Sequence, residues 1–142
     1  MQISSRFTIA LHILTFIDAF GDEYKITSEL LSKSINVNPV IIRNILSQLK
    51  KHNLINVARG SGGASINKPL KEMTFLDVFN AVECLEDETL FHFHENPNVN
   101  CPIGKNIHNV LDDKLKQIQN AMQEELTSIT LEDVKNDLKK YL

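Results

Sequence analysis

Arg43, Asn44, Ser47 and Gln48 stand at i, i+1, i+4 and i+5, a spacing that gathers four polar side chains on one side of a helix. Their chemistry suits nucleic-acid bases. Arginine can donate twice to guanine, and asparagine or glutamine can pair twice with adenine, on the major-groove edge. Lys50 and Lys51 follow on the same segment, and Arg59 lies a little further on. These cations would attract phosphate, and an arginine at a loop tip can also enter a narrow minor groove. Arg6 and Asn38 join the candidate DNA contacts, together with the loop residues Gly60, Ser61, Gly62 and Gly63.

A second chemistry centres on Cys101. Pro102 suits the first position of a helix, which makes Cys101 the expected N-cap. Free backbone N–H groups and the helix dipole favour a thiolate there, with Lys105 and His108 one or two turns along. Cys101 is therefore expected to be a reactive, redox-sensing thiol. Cys84 reads as a core cysteine or, failing that, as a redox partner of Cys101. His92-x-His94 with Cys101 and His108 offers the alternative of a zinc or other transition-metal site. Histidines flanked by Phe91 and Phe93 more commonly pack against a core or an interface.

Other constellations point away from chemistry. Gly60-x-Gly62-Gly63 is not followed by Gly-Lys-Ser/Thr and lies in a hairpin, so it is no phosphate loop. Glu83, Glu86, Asp87 and Glu88 read as a solvated helix end. No Ser/His/Asp or paired-carboxylate arrangement is present, and an enzyme is not expected.

The elements that must hold these residues follow from periodicity. Ile3, Phe7, Ala10, Leu11, Leu14 and Ile17 keep helical spacing behind Ser4 or Ser5, and Gly21-Asp22-Glu23 ends that helix. Thr27 caps a short helix to about Ser34 with Leu30 and Leu31 inward, and Ile35-Asn36-Val37 makes a turn. Asn38-Pro39 opens a helix over 39–52, with Val40, Ile41, Ile45, Leu46 and Leu49 as its apolar positions. Two β-like runs, Leu54–Ala58 and Ser65–Asn67, flank Arg59–Ala64, whose glycines supply the positive φ of a tight hairpin. A helix pair followed by a glycine-tipped hairpin is the layout of a winged helix-turn-helix.

Beyond the connector Lys68-Pro69-Leu70, Thr74 to Asp77 resemble a capping box for a helix running through Val78, Phe79, Val82 and Leu85. Residues 86–102 are irregular. Ile103, Ile107, Val110, Leu111, Leu115, Ile118, Met122, Leu126 and Ile129 then sustain a helical seam over 103–129, longer than one face of so small a domain needs. Such a seam suits packing on a second copy of the chain. Thr130 begins a short last helix. The expected fold is mainly α with a small β-hairpin, dividing into a winged helix-turn-helix region (1–71) and a region of sensory loop and dimerisation helices (72–142).

The totals agree with this reading. The chain has 142 residues, of which 42% are hydrophobic and 23% charged, a globular balance. Net charge is −3, but residues 1–71 carry nine Lys/Arg against four Asp/Glu, and residues 72–142 carry six against fourteen. The basic half coincides with the helix-turn-helix, and local charge is what meets phosphate. Neither a membrane span nor a signal-peptide pattern is found, and two cysteines make no disulfide framework, so a cytoplasmic location is expected.

The order of elements, with Ser5-Arg6-Phe7-x-Ile9-Ala10-Leu11 at the start and Arg59-Gly60-Ser61-Gly62-Gly63-Ala64 in the wing, resembles the Rrf-two family of bacterial transcription repressors. The resemblance covers essentially the whole chain. It implies a homodimer that reads a palindromic double-stranded DNA operator, usually as a repressor, with a sensory loop just before the long helix. Cluster-binding members carry three closely spaced cysteines in that loop, whereas this chain has Cys101 alone there, so no iron–sulfur cofactor is expected. Asn38-Pro39-Val40-Ile41-Ile42-Arg43 also departs from the serine and Tyr-Leu-Glu pattern of many members, so operator sequence does not carry over. The expected function is a transcriptional regulator whose DNA binding responds to oxidation or alkylation at Cys101. The alternatives are a metal-responsive repressor using His92, His94 and Cys101, or a winged-helix module that binds protein.

Overall fold

The computed structural model describes residues 3–59, 63–83 and 89–142. Gly60, Ser61, Gly62, Cys84, Leu85, Glu86, Asp87 and Glu88, named above, lie outside the described residues. Ser4 accepts from the Arg6 N–H and starts helix α1 (Ser5–Phe20), which buries Ala10, Ile13, Leu14 and Ile17. Thr27 accepts from the Leu30 N–H to start α2 (Ser28–Ile35), which stops at Asn36 in the left-handed conformation (φ 62°). Asparagine tolerates that backbone, so a turn of two residues suffices before the next cap. Asn38 caps α3 (Pro39–Lys51) by accepting from the Val40 N–H at 2.8 Å, with Pro39 at a first-turn position where its missing N–H costs nothing.

The wing is shorter than the sequence suggests. Strand β1 (Ile55–Val57) pairs antiparallel with β2 (Ala64–Ile66), with Ile55 opposite Ile66, Asn56 opposite Ser65 and Val57 opposite Ala64. The hairpin is fastened beside its turn. Ala58 N–H donates to the Gly63 carbonyl, and Ala64 N–H donates to the Ile26 carbonyl, each at 3.0 Å. Gly63 has φ +77°, and a Cβ there would stand 3.1 Å from both the Ile26 nitrogen and oxygen. Glycine is required at this point for both reasons.

A 3-10 turn over Leu70–Glu72 leads to α4 (Phe75–Val82), opened by a full capping box between Thr74 and Asp77. Helix α4 ends at Val82, and Glu83 is already extended (φ −91°, ψ 119°). Helix α5 (Pro102–Ser128) and α6 (Leu131–Leu138) complete the chain, followed by a 3-10 turn at Lys139–Tyr141. The start of α6 is pinned to that of α4. Phe75 N–H donates to the Ile129 carbonyl and Leu131 N–H to the Met73 carbonyl, both at 2.9 Å.

One core joins these elements. Ile13, Leu14 and Ile17 of α1, Leu31 of α2, and Ile42, Ile45 and Leu49 of α3 pack with Ile55, Met73, Val78, Val82 and Leu131. Phe7 bridges toward α4, its ring edge-on to Phe75 and Phe79 with centroids 5.9 and 5.6 Å apart. Helix α5 stands apart from this core, with no fully buried residue along its length. Among the described residues, no helix is long and apolar enough to cross a membrane.

Candidate nucleic-acid interface

The buried side of α3 is Ile42, Ile45, Leu46 and Leu49. The sequence reading placed Val40 and Ile41 on that side. Instead they are 53% and 39% exposed, and Ile42 is fully buried. Ile42 lies three, four and seven residues before Ile45, Leu46 and Leu49, so helical spacing puts it, and neither Val40 nor Ile41, on the inward face. At about 100° per residue, the line opposite the core is Val40, Asn44, Ser47 and Lys51. Asn44, Ser47 and Lys51 are exposed.

Arg43 and Gln48 flank this ridge, and each already has a partner. Arg43 reaches α2, its Nη1 lying 3.5 Å from Glu29 Oε1 and 3.4 Å from Ser28 Oγ. Both ends of that ion pair are well exposed, which limits its worth to about 0–1 kcal/mol, little enough for a phosphate or a base to displace. On the other flank Arg6 of α1 donates through Nη2 to Gln48 Oε1. Arg6 therefore steadies the Gln48 side chain across the helix interface, and the Gln48 amide NH2 has no partner among the described residues.

Positive charge gathers at the ends of this surface. Lys50 and Lys51 occupy the last turn of α3, where cations also complement the helix dipole. His52 closes the helix, its Nδ1 lying 3.0 Å from the Gln48 carbonyl. Arg59 is exposed at the end of the first wing strand and makes no ion pair among the described residues. Asn38 is exposed at the N-terminus of α3, but its side-chain oxygen is committed to the cap. Of the wing glycines, Gly63 is described, at the turn end of the hairpin just before β2.

The residues expected to form a sensory region centre on the start of α5. Cys101 is the N-cap residue of α5 and partly exposed. Its sulfur makes no hydrogen bond of capping geometry, yet the backbone N–H groups of Gly104 and then Ile103 face it. Their dipoles hold the thiol below the ordinary cysteine range against a smaller opposing effect of burial. Cys101 N–H also donates to the Asn98 carbonyl at 3.1 Å, which fixes the turn that leads into the helix.

The histidines pack as rings. His108 lies against Phe93 with centroids 4.4 Å apart and edge-on to His94 at 5.6 Å, and its Nε2 is 3.2 Å from the His94 carbonyl oxygen. His92, His94, Cys101 and His108 are not brought together as ligands. Among the described residues no group of three or more His, Cys, Asp or Glu could hold a metal ion. The donors described here thus fit neither an iron–sulfur cluster nor a mononuclear site, which need several converging thiolates or imidazoles.

Comparison with known proteins follows this geometry. A profile of the Rrf2 family, described as "Iron-dependent Transcriptional regulator", matches residues 3–137. YwnA of Bacillus subtilis (strain 168), named as a candidate HTH-type transcriptional regulator, is 43% identical over 137 residues, covering 96% of this chain and 99% of YwnA. A crystal structure of a candidate DNA-binding protein is 38% identical, with a TM-score of 0.73, over 92% of this chain and 98% of its own. A candidate transcriptional regulator from Lactobacillus plantarum is 28% identical, with a TM-score of 0.80, over 96% of this chain and 91% of its own. With the helix pair, the wing and the long C-terminal helix all in place, the chain belongs to the Rrf2 family of winged-helix transcriptional regulators.

Proposed function

We propose that the protein is a homodimeric repressor that reads a palindromic operator and loosens its hold when Cys101 is oxidised or alkylated. The observation that carries the DNA-reading part is the polar ridge of α3, held outward by a fully packed opposite side and continued by Lys50, Lys51 and Arg59. Each subunit lays α3 in a major groove, with Asn44, Ser47, Gln48 and Arg43 toward base edges. Arg6 orients Gln48, Asn38 presents the helix N-terminus, and the wing, Arg59 through Gly63, rests on the backbone or the minor groove. The division of labour falls near residue 71, with the basic part on DNA and the acidic part in sensing and assembly.

Two features support the assembly and the switch. Helix α5 leaves Ile103, Val110 and Ile118 exposed on a helix with no buried residue, a surface suited to a second copy. Cys101 stands at the start of that same helix with its thiol lowered by backbone N–H groups. A sulfenic acid or an alkyl group there alters the cap of the helix that joins the subunits. Titration of salt against duplex DNA tests the reading. Affinity should fall steeply between low and moderate salt, Arg59→Ala should lower the salt slope by about two for a dimer (about one per subunit), and Asn44→Ala should instead relax sequence preference. Cys101→Ser should abolish oxidant-induced release. Binding that ignores salt sinks the DNA reading, and unchanged release in Cys101→Ser sinks the switch.

A further inference from the structure

Val40 is 53% exposed, on the ridge of α3 that otherwise carries Asn44, Ser47 and Lys51. A single exposed apolar side chain is ordinary on a protein surface. What sets Val40 apart is its place. It lies in the first turn of the second helix of a helix-turn-helix, the end from which such helices touch base edges, and one turn ahead of Asn44 on the same line. Its side chain is not among those packed on the core of the described residues, and Asn38 caps the helix through the Val40 backbone N–H. In a major groove the apolar feature of a base edge is the thymine C5 methyl, and contact with it removes both groups from water.

Resting on the DNA-reading assignment above, we infer that Val40 is a specificity residue that selects a thymine through its C5 methyl. Four residues of helix advance about 6 Å, and base pairs are stacked about 3.4 Å apart, so this thymine lies within two base-pair steps of the base met by Asn44. Ile41 is rotated about 100° off the ridge, toward the Gln48 flank, and is not part of this contact.

The test uses duplexes selected from random-sequence DNA by the wild-type protein. Each thymine is then replaced in turn by deoxyuridine, which removes the methyl and keeps the base pair. At one position in each half-site the wild type should lose affinity about fourfold, the worth of one buried methyl. The Val40→Ala protein should bind the thymine duplex several-fold more weakly and lose nothing further on the uracil duplex. The penalty of Asn44→Ala should be the same on both duplexes. If every deoxyuridine penalty persists undiminished in Val40→Ala, or if no deoxyuridine costs affinity while sequence-specific binding remains, the inference is overturned and the DNA reading stands. If no duplex is enriched or bound, the DNA reading itself falls, and the inference with it.

Discussion

At the scale of single residues, the outward side of α3 divides its polar groups into held and free. Gln48 is held by Arg6 and Arg43 by Glu29, whereas Asn44 and Ser47 are exposed. Pre-oriented side chains lose less freedom on binding, so Gln48 can act with a smaller entropic cost than a free glutamine. The same reasoning about local environment governs Cys101. Backbone N–H groups at the α5 N-terminus favour its thiolate, and the thiolate is the species that attacks an alkylating agent. A lowered pKa means that the reactive fraction is lost only at a lower pH than for a free cysteine. The rate of Cys101 modification by iodoacetamide, followed by mass spectrometry of its peptide, should therefore rise with pH to a midpoint below the ordinary thiol value of about 8.5. A midpoint at or above that value would contradict the assigned cause.

At the scale of elements, the wing depends on one backbone position. Gly63 combines φ +77° with an approach of 3.1 Å between its virtual Cβ and the Ile26 backbone. Gly63→Ala should cost about 1–2 kcal/mol from the left-handed conformation alone, measurable by urea unfolding, and should weaken DNA binding because the wing lifts from residue 26. A stability change near zero would show that the segment shifts without strain. This contrast marks what the sequence could reveal. Thr27, Asn38, Thr74 and Thr130 act as caps where the sequence placed helix starts, because capping is settled within three or four residues, and Cys101 takes the expected N-cap position without a side-chain cap bond. The inward face of α3 was read correctly at Ile45, Leu46 and Leu49, and their spacing extended back by three, four and seven residues singles out Ile42, which the apolar run Val40–Ile42 masked. The Arg6–Gln48 and Arg43–Glu29 pairs join segments distant in sequence, and no local pattern could announce them. The ring stack of Phe93, His94 and His108 likewise replaced a metal-ligand spacing that sequence alone left open.

At the scale of the whole molecule, the long helix is the element that the single chain explains least. Twenty-seven residues of α5 extend about 40 Å without burying one of them fully. The seam divides into two. Ile107, Leu111, Leu115, Met122 and Leu126 are half-covered, and the Leu90 N–H donates to Gln119 Oε1 at 3.0 Å, tying the segment before α5 to its middle. Ile103, Val110 and Ile118 are left 73%, 55% and 55% exposed. A self-complementary contact through those residues would bury them on both copies at once, as a two-fold interface does. To read successive half-sites, such a contact must set the two α3 ridges about 34 Å apart, one turn of the duplex. A combined Val110→Glu and Ile118→Glu change places two carboxylates on each copy of that surface while touching no core residue. Sedimentation equilibrium should show a dimer for the wild type and a monomer for the variant, with helix content by circular dichroism unchanged. The variant's affinity for a palindromic duplex should drop toward its affinity for a single half-site, because the second subunit no longer binds as part of the same particle. A variant that stays dimeric, or a wild type that is monomeric at micromolar concentration, would place the assembly surface elsewhere and leave the exposed seam of α5 without this role.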